Sequence, residues 1–257
     1  MIFAASSLTE TFQEAGQVFE EDESKIPVRF NFAGSQLLRA QLEFGAKADV
    51  FASADEYQMD LTIGSGLVSG SPVQFASNQL VVITPLEDGR DNTAHRVMVR
   101  DLGGLAQEGA KLALALPEVP VGVYTREVLQ NLADRVEVLG PGYPELVLAN
   151  AVTLDRNVRS VVQKVVLGEV DAGVVYRTDA ATDHTSTKVT VLSIPKDANI
   201  VAGYPIATLK SSANPALSEA FVRFILMEQS QTILRSHGFG LSAAPVGFRN
   251  QPVATER

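Results

Sequence analysis

The chain has 257 residues, 46% of them hydrophobic, enough to bury one large core or two modest ones. Its net charge is −9 with the basic residues scattered, which argues against a nucleic acid or an anionic membrane as partner; it has no cysteine, which removes disulfides, zinc–cysteine sites, iron–sulfur clusters and thiol nucleophiles together. The three histidines (His95, His184, His237) lack metal-ligand spacing, and no apolar run approaches the roughly 18 residues that span a membrane.

Ile2–Ala5 reads as a first strand, too short for a signal peptide, so the expectation is a cytosolic protein or one whose leader has been removed. A corner at Ser6-Ser7 leads into a helix with Leu8, Phe12, Ala15, Val18 and Phe19 on its buried face. Ser7 followed by Glu10 fits a capping box, the structural alternative to a role in binding. Val28–Phe32 is a second strand, running through Gly34-Ser35 into a helix with Leu38 and Leu42 on one side. Such a corner is a standard way to build an anion receptor, because the first N–H groups of a helix have no partner inside it and its dipole favours negative charge there. Ser35 is read either as an N-cap or as a hydroxyl donor beside those amides.

The chain turns at Gly45-Ala46, enters a short strand from Asp49 to Ser53, and Asp55 caps a helix that ends at Gly64-Ser65-Gly66. Gln79–Pro85 is a continuous apolar strand, followed by a polar loop from Glu87 to His95. Lys111–Leu116 is predicted as a strand and Pro120 as the start of a helix containing Val123, Val128, Leu129 and Leu132, since proline suits a first helical turn. Val136–Leu139 is predicted as a strand and Gly140-Pro141-Gly142 as a turn. Asp155–Arg159 opens a helix with Val158, Val161, Val162, Val165 and Val166 on its apolar face, and Asp171–Tyr176 is a strand ending in a tyrosine. Val189–Ile194 and Val201–Leu209 are further strands. Asn214-Pro215 begins a helix with Leu217, Phe221, Phe224 and Ile225, and a last helix with Ile233 and Leu234 stops at His237-Gly238-Phe239. Residues past about Val246 read as a loosely held tail.

This alternation implies α/β architecture with largely parallel sheets, whose ligands collect at the carboxyl ends of strands. Four corners there carry serine or bare N–H groups: Ser6-Ser7, Gly34-Ser35, Pro120-Val121 and Asn157-Val158. Enzyme motifs are absent, the loose match Gly238–Ala243 to a dinucleotide fingerprint lying at the wrong end of the chain. Asp49, Asp55 and Asp155 are read as strand ends and caps before an acid–base pair, and Arg159 as a first-turn arginine that faces water or neutralises an anion.

The ordered set Ala4-Ala5-Ser6-Ser7-Leu8-Thr9, Phe32–Ser35, Ala48–Asp55, Pro120–Tyr124 and Gly173–Tyr176 resembles the molybdate/tungstate-binding proteins of bacterial ABC importers, from Ile2 to about Phe239. The resemblance implies the type II periplasmic-binding-protein fold: two α/β lobes joined by a two-strand hinge at Gln79–Pro85 and Val201–Leu209. Lobe one is then 1–81 with 203–257, and lobe two 82–202. It further implies a tetrahedral oxyanion held without charged residues, by Ser7 and Ser35 of lobe one and by the N–H of Val121, the N–H of Val158 and the hydroxyl of Tyr176 in lobe two. Ser6 is the alternative to Ser7. Val121 stands where many members have a smaller residue, a change a backbone donor tolerates. The expected protein is a non-enzymatic, monomeric receptor, periplasmic or extracellular, either free or held by a lipid anchor. It has no cofactor and no side-chain metal ligands, its metal lying within the anion, and it hands that anion to a membrane permease. The rivals are a receptor for another oxyanion or small organic acid, a cytosolic oxyanion sensor domain, and a deaminase on the same scaffold, which would need a cofactor-bearing cysteine.

Overall fold

The computed structural model describes residues 1–22, 26–86, 97–135 and 139–240. The first run of elements is β1 (Ile2–Ala5), a 3-10 turn (Ser6–Leu8), α1 (Thr9–Asp22), β2 (Phe30–Ala33), α2 (Ser35–Glu43), β3 (Val50–Ala52), α3 (Glu56–Gly64), β4 (Val68–Asn78) and β5 (Leu80–Pro85). A second 3-10 turn (Gly103–Ala106) precedes β6 (Leu112–Ala115), α4 (Pro120–Arg135), α5 (Tyr143–Ala149), β7 (Ala151–Asp155), α6 (Val158–Val166) and β8 (Ala172–Tyr176). The chain continues through α7 (Arg177–Ala181), α8 (Asp183–Ser186), β9 (Val189–Ser193), β10 (Ala202–Leu209), α9 (Pro215–Leu226) and α10 (Glu228–Ser236).

These strands form two five-stranded sheets, ordered β2-β1-β3-β10-β4 and β7-β6-β8-β5-β9. In each, three strands run parallel (β2, β1, β3; β7, β6, β8), and the rest is closed by antiparallel pairs with β10 or β5. The carboxyl ends of the parallel strands carry the loops that lead into helices, so each lobe presents one edge of helix beginnings.

The chain changes sheet at Asn78-Gln79 and again between Ser193 and Ala202. The two apolar strands expected to span the lobes do not themselves do so: β5 pairs wholly in the second sheet and β10 wholly in the first. Helix faces fall where the periodicity puts them. In α1, Phe12 and Phe19 pack edge-on against Phe221 of α9; in α6, Val161 and Val165 are fully buried.

Five elements run against the sequence reading. β4 (VSGSPVQFASN) carries loop-like composition, yet pairs along its length with β10; its Pro72 is tolerated because β4 is an edge strand. The short helices α5, α7 and α8 have too few turns to show a period, and β7 begins four residues before the expected opening of α6. The expected strand from Val136, the polar loop from Glu87 and the C-terminal tail lie in whole or in large part outside the described residues.

Candidate functional site

The two helix-bearing edges face each other across a small cavity of about 220 Å³, its mouth included. Ser7, Ser35, Val121, Val158 and Tyr176, drawn from five separate segments, all line it, and no charged side chain among the described residues does. Ser6 and Asn157 line it as well, alongside small apolar residues. The lobes touch around it: Gln36 Nε2 donates to the Arg156 carbonyl at 2.8 Å, joining lobe one to lobe two.

Each polar group reaches the cavity for a local reason. Gly34, extended at φ −62° and ψ 138°, is the N-cap of α2, so Ser35 is its first helical residue. Ser35 Oγ accepts the Ala54 N–H at 3.0 Å, which leaves its own proton to donate elsewhere. The N-cap reading of Ser35 is thereby corrected by one position. Ser7 likewise caps nothing: it lies in the 3-10 turn, and its Oγ is 3.0 Å from the hydroxyl of Tyr204. Glu10, its expected capping partner, is drawn instead to Arg159.

In lobe two, Pro120 starts α4 and places Val121 in the first turn, where amides lack an intrahelical acceptor. Gly122 permits the close approach, since a Cβ there would overlap the Leu116 carbonyl. At α6 the Asn157 side chain caps by accepting the Ser160 N–H at 3.0 Å, a different amide from that of Val158. Tyr176 ends β8 fully buried. Its hydroxyl has no hydrogen-bond partner among the described residues, and burial holds it neutral, well above the ordinary tyrosine range. An unpartnered buried hydroxyl is costly unless a ligand or water meets it.

Three charges sit behind the wall. Arg159, read from sequence as facing water or an anion, does neither. Its Nε lies 2.9 Å from Asp179 Oδ1 and 3.2 Å from the Ser6 carbonyl, and its two terminal nitrogens pair with the Glu10 carboxylate across the lobe boundary. Burial alone would lower its pKa, but Asp179 and Glu10 together hold it above the ordinary value. Asp179 is pushed up to about 6 by burial, only partly offset by Arg159.

Asp55 caps α3 by accepting the Gln58 N–H at 2.9 Å, and burial pushes it up to about 6. Because its folded value lies above the unfolded one, its contribution to stability is fully present below the unfolded value of about 3.9 and is lost as pH rises through about 6. Asp55→Asn keeps the capping acceptor without the charge. Urea unfolding should find this variant more stable than the parent near pH 7.5, by up to about 2–3 kcal/mol, and little changed near pH 4. An equal difference at both pH values would assign the effect to the cap rather than to the buried charge.

Residues 1–240 match the family described as bacterial extracellular solute-binding protein. The chain is 35% identical over 239 residues to a molybdate-binding protein of Mycobacterium tuberculosis, covering 93% of this chain and 83% of that one. It is 31% identical over 240 residues to the molybdate-binding protein of Escherichia coli, covering 93% and 87%. Among solved structures, the periplasmic molybdate-binding protein of Azotobacter vinelandii superposes with a TM-score of 0.76 at 20% identity, covering 94% of this chain and 99% of that one, a likeness of fold.

Proposed function

The chain belongs to the bacterial extracellular solute-binding proteins, and from that membership we propose that it captures molybdate or tungstate between its lobes and delivers the anion to the permease of an ABC importer. The observation that carries this reading is the cavity itself. The hydroxyls of Ser7, Ser35 and Tyr176 and the first turns of α4 and α6 meet in one uncharged space, and the Tyr176 hydroxyl has no partner among the described residues. The curated relatives named as molybdate-binding proteins cover nearly the whole chain, which supports the choice of anion.

The physics of such a site is definite. A buried dianion is prohibitively expensive unless its oxygens are saturated with donors. Each hydrogen bond to a charged group contributes roughly 1.5–3 kcal/mol, so several together, less the costs of closure and desolvation, reach sub-micromolar affinity, beyond about −8 kcal/mol. Amides that only donate, and a Ser35 hydroxyl that already accepts from the Ala54 N–H, present protons rather than lone pairs and so offer little to a protonated oxyanion. They therefore favour an anion fully ionised at neutral pH. Donors fixed on two lobes also discriminate by size, because a smaller anion cannot reach both sets at once. Ligand contact with both halves favours the closed state, so lobe closure is the conformational response.

The two-lobe division, 1–81 with 203–257 against 82–202, is supported to within a few residues by the change of sheet after Asn78 and before Ala202. No helix among the described residues is long and apolar enough to cross a membrane. In this reading the protein acts outside the cytoplasmic membrane, in a periplasm, extracellularly or tethered by lipid, as a monomeric receptor with no catalytic step and no cofactor, and membership of the extracellular solute-binding family supports that placement.

Titration calorimetry with molybdate, tungstate, sulfate and phosphate tests the reading. Sub-micromolar binding of the first two and weak or absent binding of the others is expected. In the same experiment Tyr176→Phe should weaken molybdate by about 1–3 kcal/mol, the loss of one donor to a charged group. No heat with molybdate or tungstate ends the reading; unchanged affinity in Tyr176→Phe places the anion elsewhere.

A further inference from the structure

We propose that Tyr204, which does not line the cavity, is a positioning residue for anion capture: its hydroxyl donates to Ser7 Oγ and so commits the Ser7 proton to the bound oxyanion. This rests on the reading of the cavity as an oxyanion site. Neither residue's sequence context points to it, since the two lie 197 positions apart and meet only through the fold. Both are buried, Ser7 at 3% exposure and Tyr204 at 0%.

The direction of each proton follows from counting donors and acceptors. The Asn78 side-chain oxygen accepts the Gln79 N–H at 2.9 Å, which fixes which end of that amide is which. Its Nδ2 therefore supplies protons, to Thr178 Oγ1 at 2.9 Å and, at the longer distance of 3.5 Å, toward the Tyr204 hydroxyl. With Tyr204 receiving from Asn78, its own proton goes to Ser7 Oγ, 3.0 Å away. Ser7 is then an acceptor toward Tyr204 and a donor toward the cavity. The opposite order fails twice: the Tyr204 proton would have no acceptor among the described residues, and Ser7 would turn lone pairs toward an anion. Ser35 is set in the same manner by the Ala54 N–H, with a backbone amide in place of a tyrosine.

The ring that delivers this hydroxyl is held on three sides. Phe75, Tyr176 and Phe239 meet it edge-on, with centroid distances of 6.3, 5.8 and 5.4 Å. Tyr204 lies near the start of β10, where the chain re-enters the first sheet, and Asn78 ends β4, where it leaves. Thr178 belongs to α7 in lobe two. The donor chain Asn78, Tyr204, Ser7 thus joins the cavity to both crossings between the lobes, and it sets Ser7 before any ligand arrives.

The test is a double-mutant cycle read by molybdate titration calorimetry on the parent, Tyr204→Phe, Ser7→Ala and the double variant. Tyr204→Phe keeps the ring and removes the proton; a loss of about three- to tenfold in affinity is expected in the Ser7 background. In the Ser7→Ala background the same change should alter affinity by less than about twofold, because the hydroxyl it positions is gone. A purely structural role for Tyr204 would weaken binding equally in both backgrounds, and that result, or unchanged affinity in Tyr204→Phe, overturns the proposal. Should Tyr204→Phe not fold, Asn78→Ala removes the donor that orients Tyr204 and must show the same dependence on Ser7. If the parent gives no heat with molybdate, the oxyanion reading itself fails and takes this proposal with it. Molybdate binding that is weakened by Ser7→Ala but indifferent to Tyr204→Phe preserves the reading and removes only the positioning role.

Discussion

Gly34→Ala is expected to weaken oxyanion capture by roughly tenfold to a hundredfold while leaving the unliganded fold intact. Gly34 has φ −62° and ψ 138°, a conformation open to alanine, so its own backbone raises no objection to a methyl group. The rigid obstacle is on the other lobe: a Cβ at this position would overlap the backbone carbonyl of Arg156, and it would also crowd the neighbouring Gln36 amide that donates to that same carbonyl. The Gln36 side chain has freedom to swing aside, but a carbonyl at the entrance to α6 does not. Overpacking of this kind costs about 1–3 kcal/mol, and here it falls on the closed state alone. Closure is what lets both donor sets reach one anion, so the penalty reappears as lost affinity. Calorimetry gives the affinity, and thermal unfolding without ligand gives the control. A variant that binds as tightly as the parent would mean that the lobes need not meet at Gly34 for capture.

The second large effect concerns stability. Arg159→Met should destabilise the protein by about 3–5 kcal/mol near neutral pH, because it leaves Asp179 buried without its cation. Asp179 is 0% exposed and lies against the Arg159 guanidinium, which it shares with Glu10 of the opposite lobe. Adding Asp179→Asn to Arg159→Met should restore most of the loss, since the uncompensated charge rather than the missing contact is the dominant cost. The pH dependence has a fixed sign. Asp179 is already raised to about 6 by burial, and removing Arg159 raises it further, so the deficit should shrink as pH falls through and below about 6. Urea unfolding of both variants near pH 7.5 and near pH 5 decides it. A loss under about 1 kcal/mol, or a double variant no more stable than the single one, would show that water or a rearranged neighbour compensates Asp179.

Much of the fold is legible because its elements bury one face at a regular spacing. Phe12, Ala15 and Phe19 in α1, Val158, Val161, Val162 and Val165 in α6, and Phe221, Phe224 and Ile225 in α9 are buried in the pattern their periods require. β4 is not legible, because its serines, glycine and proline carry no alternation and it is a strand only through pairing with β10. Short helices such as α7 offer no period to read.

At the site, the corners and the family resemblance together lead to Ser7, Ser35, Val121, Val158 and Tyr176, and the fold brings these five to one cavity. The roles of their neighbours are a different matter. Glu10 looks like the partner of Ser7 from a spacing of three, yet folding carries it to an arginine 149 positions away. Arg159 looks solvent-facing from its place in a first turn, and becomes the centre of an ion triad because Asp179 and Glu10 approach it from two lobes.

By itself, then, the sequence determined what depends on a regular pattern among neighbours along the chain: which of the longer segments are helices, which strands end in donors, and the absence of thiols or a basic face. Only the tertiary structure decided which of those donors has a proton to spare, since that depends on what accepts and what donates on the far side of each hydroxyl. Tyr204 behind Ser7 and the Ala54 amide behind Ser35 are contacts between separate segments, and the Tyr176 hydroxyl is left without a partner among the described residues. Local preference acts over a few residues, whereas hydrogen-bond direction in a buried site is settled by whichever groups packing happens to bring within about 3 Å.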